Sequence, residues 1–195
     1  MSKMHRDGRS IVEPADLDVW RAWLEENHET SSPVWVTSSK KDGKVASVSY
    51  IDARDEAICW GWIDSTVNRL DEHRYLTLFA RRNPKSGWSK VNKQLIVALR
   101  EQGRMREPGE RAISVAVENG SWTMLDAIEA LEVPDDLADA FDADPVARRG
   151  YDSMPDGMKK ETLRRVILAK RPETRRKWID KAIEESRARA GKGQD

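Results

Sequence analysis

A chain of 195 residues has room for one large domain or two small ones and should bury roughly 70% of its unfolded surface, so no disulfide scaffold is required. Hydrophobic residues make up 38% and charged residues 35%, which leaves eight tryptophans to supply much of the buried area. The 34 basic and 34 acidic side chains cancel, and this balance excludes a global field that would draw the chain onto nucleic acid or a membrane.

Residues 1–12 read as a flexible tail. Pro14 then opens a segment with Leu17, Trp20, Trp23 and Leu24 on one helical face, ending near His28 and Glu29 before Pro33. VWVTS at 34–38 is β-branched and aromatic, a strand running into the turn KKDGK, with Val45–Val48 as a short return strand. Ser49 with Asp52 three residues on forms an N-cap pattern, and a helix follows from about 50 to 59. Gly61 falls where a helix end needs a left-handed residue, which only glycine adopts without a Cβ penalty.

WIDSTVNR and HRYLTLFARR, joined by LDE, predict an antiparallel hairpin with Tyr75, Thr77 and Phe79 on one face. The turn-rich NPKSGW leads into a helix carrying Val91, Leu95 and Leu99. From about Glu107 the pattern is helical throughout. Pro108 sits in a first turn, Ala112, Ile113, Ala116 and Val117 share a face, and NG at 119–120 is a stop. Further helices are expected from Pro134 and Pro145, then one around Leu163, Val166 and Ile167. A last helix, starting at Pro172, carries Trp178, Ile179, Ala182 and Ile183, and AGKGQD is a flexible tail. The expected fold class is α+β, a small antiparallel sheet flanked by helices and followed by a helical C-terminal half. The boundaries are a tail at 1–12, an α/β part at 13–106, a helical part at 107–189 and a tail at 190–195.

Charge is unevenly placed. Arg69–Arg106 holds ten bases against three acids, Glu118–Asp144 holds nine acids and no base, and Arg148–Arg189 holds fourteen bases against seven acids. Such blocks either neutralise one another in the fold or present opposite faces to a partner, and internal pairing is the expectation adopted.

The three histidines, His5, His28 and His73, lie far apart and no HxH, HExxH or CxxC spacing occurs, so no metal site is assigned. GxxxxGK[ST], GxGxxG and GxSxG are missing as well, and no catalytic residue or cofactor is assigned. The single Cys59 sits in the apolar AIC and reads as a packed thiol in a reducing, cytoplasmic setting. No run reaches the roughly 18 apolar residues of a membrane span, and MSKMHRDGRS lacks an apolar signal region.

One constellation carries chemistry. Trp62, Asp64, Arg81, Arg82, Lys85, Trp88 and Lys90 come from the hairpin and the loop after it, and could converge on one side of the sheet. Arginine forks bind phosphate or carboxylate, and a neighbouring indole stacks on a ring or base. The competing reading pairs Arg81 or Arg82 with Asp64 and packs Trp60, Trp62 and Trp88 into the core.

The runs EAICWGWIDS, RYLTLFARRNPKSGWSKVNK, EQGRM, NGSW, VPDDLADAF and AKRPETRRKWI resemble the YdeI/OmpD-associated family, also labelled bacteriocin-protection proteins. The resemblance extends from Trp20 to Ile183, with Trp60 standing where a Phe is expected. It implies an α/β part followed by a helical part, and a cytoplasmic, non-enzymatic accessory role in tolerance of bacteriocins or cationic antimicrobial peptides. The alternative, read from the residues, is an enzyme or binding module in which Asp64, Arg81, Arg82 and Trp88 take a small phosphorylated or carboxylated ligand or nucleic acid. The expected partner is thus either a protein or a small anion, with nucleic acid disfavoured by the zero net charge.

Overall fold

Asp16 and Ser49 start the first two long helices by the same device. In the computed structural model, which describes residues 5–40 and 45–192, the Asp16 carboxylate accepts from the Val19 N–H and the Ser49 hydroxyl oxygen from the Asp52 N–H. Each cap satisfies a first-turn donor, so α1 (Leu17–Asn27) and α2 (Tyr50–Cys59) begin where the sequence pattern places them. The chain divides into two compact units, residues 1–123 and 124–195.

The first unit carries β1 (His5–Arg6), β2 (Arg9–Val12), β3 (Val34–Ser39), β4 (Trp62–Arg69) and β5 (Arg74–Arg81), in the spatial order β1-β2-β3-β5-β4. β4 and β5 form the expected antiparallel hairpin, and β5 pairs antiparallel with β3. The sheet is mixed, however. Residues 5–12, expected as a tail, make two strands joined at Asp7 and Gly8, both with positive φ, and β2 lies parallel to β3. β4 is an edge strand with one extra residue between Asp64 and Val67. The expected return strand at Val45–Val48 is not formed. Its polar groups find loop partners instead, the Val48 N–H donating to Pro14 O and the Ser47 hydroxyl to Thr37 O. Residues 41–44 of the expected KKDGK turn lie outside the described residues.

One face of this sheet buries Val34, Val36 and Phe79 against Trp20 and Leu24 of α1 and Ala53 and Ala57 of α2. Two of the tryptophans are fixed by their polar ends: Trp20 donates to Ala53 O and Trp62 to His28 O, both at 3.0 Å, whereas the buried Trp35 indole N–H has no hydrogen-bond partner. Glu56, on α2 and 1% exposed, receives Arg21 through two N–H bonds, Arg104 through one and the Trp60 indole N–H through another. Burial alone would raise its carboxyl, but these hydrogen bonds, Arg21 first and then Arg104, outweigh it and hold the group below the usual carboxylate range.

Gly61 ends α2 as the sequence requires, with φ +74° and its N–H on Ile58 O. A Cβ at this position would also stand 2.9 Å from Pro108 O. Gly61→Ala should therefore destabilise by roughly 2 kcal/mol, read in a urea titration, and an unchanged midpoint would contradict the left-handed assignment.

A second cluster joins the far side of α2 to α3 (Lys90–Glu101) and α4 (Glu107–Glu118) through Ile58, Cys59, Trp88, Ile96, Leu99 and Ile113. α4 begins at the expected change of composition but packs within the first unit, and the units divide after Thr123. Its Val117, expected on the inner face, is 58% exposed, while Gly109 brings the helix backbone onto Cys59 O.

The second unit is wholly helical among the described residues: α5 (Asp126–Glu129), α6 (Asp135–Asp142), α7 (Pro145–Asp152), α8 (Asp156–Ile167) and α9 (Pro172–Lys192). Leu137, Phe141, Tyr151, Leu163 and Val166 form its core. α9 runs on through Ala190–Lys192, which were expected to be tail. Part of the acidic stretch is answered inside this unit: Asp136 by Arg175, Asp144 by Arg187, and Glu129 by Lys160, each at 2.6 Å. The fold is α+β, with all its described strands in the first unit. Among the described residues no helix is long and apolar enough to cross a membrane.

Candidate functional site

β5 ends at Arg81, and the chain then leaves the sheet through residues 82–89 before Ser89 caps α3 by accepting from the Asn92 N–H. This loop is anchored at both ends and in its middle. The Arg82 N–H donates to Gly61 O, and Asn119 and the Ser121 hydroxyl both donate to Pro84 O. With its backbone so fixed, the loop forms one wall of a cleft of about 450 Å³ in the first unit. Trp60 and Gly61 contribute from the end of α2, His28 and Glu29 from the end of α1, and Pro108, Arg111, Ala112 and Val115 from α4.

Arg82 is the feature that distinguishes this cleft. Its guanidinium lies over the Trp88 ring, 3.5 Å from the centroid, and Nη2 donates to Gly87 O. Nε is buried with no hydrogen-bond partner, and Arg82 makes no ion pair among the described residues. Burial pulls its pKa down to about 10, as expected for a cation withdrawn from water without a carboxylate beside it. Trp88 is itself 2% exposed and packs on Trp122 at 5.2 Å, so the platform under Arg82 is rigid.

The other cations of the cleft are placed differently. Arg81 Nη1 donates to Glu29 O, and Arg111 bridges Glu29 at 2.9 Å and Glu107 at 3.3 Å, with its side chain 52% exposed. His28 rests on the Trp60 ring at 4.9 Å and its Nδ1 is bonded to Leu24 O, an acceptor, so Nδ1 carries the proton and Nε2 is the other ring nitrogen. Three arginines and one carboxylate stand in the lining, with the His28 ring beside them.

Of the residues singled out from the sequence, Arg81, Arg82 and Trp88 come together here. The remaining four do not line the cleft. Trp62 is 1% exposed in the sheet core, and Lys85 and Lys90 stand exposed on the loop and on the first turn of α3. Asp64 accepts from the Tyr50 hydroxyl at 2.8 Å; burial, then this bond, raises the phenol to about 12. Neither arginine pairs with Asp64. His28, Glu29, Trp60 and Arg111 belong to the site but were not placed there by sequence reasoning, because they arrive from three separate helices. Cys59 is fully buried, and burial raises its thiol to about 12, which fits an inert core position. Among the described residues no group of His, Cys, Asp and Glu is arranged to hold a metal ion.

Comparison with known families gives two matches. Residues 12–112 match the model described as domain of unknown function (DUF8412), and residues 130–189 match the one described as bacteriocin-protection, YdeI or OmpD-associated. No curated protein and no solved structure matches the chain.

Proposed function

Because the chain belongs to the DUF8412 family, whose matched segment contains every lining residue of the cleft except Val115, and also carries a bacteriocin-protection, YdeI or OmpD-associated domain, we propose that it is a binding protein whose first unit takes a small anionic ligand on Arg82. The observation that carries this reading is a half-buried guanidinium without a carboxylate partner, held 3.5 Å over an indole ring in an open cleft. Such a cation costs stability in the free protein and regains it when an anion arrives. Similarity of the second domain to bacteriocin-protection proteins supports a setting in tolerance of bacteriocins, in which ligand occupancy acts through an accessory protein and no bond is broken. The buried free thiol suits a reducing cytoplasm.

The test is a titration with small carboxylates and phosphates, followed by tryptophan emission, since Trp88 lies directly under the binding group. Affinity should fall as salt rises through roughly 0.05 to 0.5 M, and Arg82→Met should weaken it by about tenfold or more. The same substitution should leave thermal stability unchanged or higher, because removing a half-buried charge with no carboxylate beside it offsets the lost bond to Gly87 O, and the Met side chain keeps contact with the Trp88 ring. Absence of saturable binding in the wild type, together with a clear loss of stability in Arg82→Met, would assign Arg82 to the architecture of the loop and end this reading.

A further inference from the structure

We propose that the ligand of this cleft is a flat aromatic anion whose charged group meets Arg82 and whose ring lies against Trp60; the proposal rests on the anion-binding reading above. Two kinds of surface meet in the lining of the cleft. Arg81, Arg82 and Arg111 supply positive charge, with Arg82 on its indole platform. Trp60, with Pro108, Ala112 and Val115 of α4, supplies aromatic and apolar surface. A purely inorganic anion would use the first and leave the second wet.

The aromatic surface is held in place. Trp60 Nε1 is bonded to the buried Glu56, and His28 packs on its ring at 4.9 Å with the two planes tilted by 48°. α4 is held close, since Gly61 and Gly109 bring the end of α2 against its backbone. The exposed Glu29–Arg111 ion pair spans from the α1 end to α4 across the cleft. A volume of about 450 Å³ accommodates one or two fused rings with a short acidic arm, within the usual range of roughly 300 to 1,000 Å³ for small-molecule sites. Stacking on a fixed aromatic wall rewards flatness, whereas an aliphatic ring of equal size presents hydrogens out of plane and fits less closely.

The experiment compares four probes by isothermal titration calorimetry on the full chain: acetate, cyclohexanecarboxylate, 2-naphthoate and the uncharged 2-naphthol. The expected order is 2-naphthoate first, about tenfold or more tighter than cyclohexanecarboxylate, with acetate and 2-naphthol weaker still. Trp60→Leu should remove the preference for the flat ring while the response to acetate is kept. The wild-type ranking stands by itself should that variant fold poorly, since Trp60 also partners Glu56. Equal affinity for cyclohexanecarboxylate and 2-naphthoate would overturn the aromatic class and leave anion binding intact. Equal affinity for 2-naphthol and 2-naphthoate, or no binding by any probe, would overturn the anion-binding reading itself.

Discussion

Gly150→Ala should destabilise the second unit by roughly 3 kcal/mol or more, one of the largest effects available from a single methyl group. Gly150 is buried on α7, and a Cβ there would fall 2.7 Å from the carbonyl carbon of Ser186, closer still to its oxygen, and 3.3 Å from the Ala190 nitrogen. These are backbone atoms of α9, so no rotamer change relieves the overlap and the two helices must separate. Separation opens the core around Ala147, Tyr151, Ile179 and Ala182. Gly157→Ala is the matched control: near the start of α8, with nothing within 4 Å of the added methyl, it should stabilise by about 0.5 kcal/mol through helix propensity. Urea titrations followed by far-UV ellipticity check both. Equal midpoints for the two variants would show that α7 and α9 do not meet at Gly150.

Glu56→Ala should cost about 3 kcal/mol, because it strips a buried carboxylate from two arginines and from the Trp60 indole at once. Arg21 and Arg104 are only partly exposed, so water restores part of what they lose. Glu56→Gln keeps the volume and should fall between the two. The pH dependence follows from the depressed carboxyl. Its folded pKa lies below its unfolded one, so the stabilisation is fully present above the ordinary carboxylate range and is lost as pH falls through the folded value. Wild type and Glu56→Gln should therefore converge in stability as acid is added. A constant difference down to the acid transition would show that Glu56 is not ionised in the folded protein.

Local signals in the chain were legible wherever a few neighbouring residues decide the outcome. Ser49 caps α2 by accepting from the first-turn N–H of Asp52, and Gly61 is forced by the geometry of one helix end. β2 was missed because its partner is β3, more than twenty residues away, and only Ile11 and Val12 take part in the pairing. Asp7-Gly8 is a turn signal, but strands of two and four residues give too little alternation to support it. The site divides in the same manner. Arg82 and Trp88 meet across a short loop, which proximity in sequence suggests, whereas Glu29 and Arg111 meet only once α1 and α4 are in place. Asp64 was drawn toward the arginines by charge alone. The fold gives it to Tyr50, on α2, through a hydroxyl that carries no sequence signal of pairing. Gly109 and Gly150 look like weak helix residues in a sequence, and their meaning lies in the backbone that each allows to approach.

The irregularity between Asp64 and Val67 bears on how the protein behaves when crowded by copies of itself. A sheet with two open sides is a template for further strands, and filaments grow when such sides are long and flat. Here one side is β4, whose inserted residue breaks the spacing of its unpaired N–H and C=O groups along Ser65 and Thr66, both exposed. The other is β1, two residues long. Among the described residues an incoming chain finds no stretch on either side long enough to dock in register, so growth through these borders is starved of a nucleus.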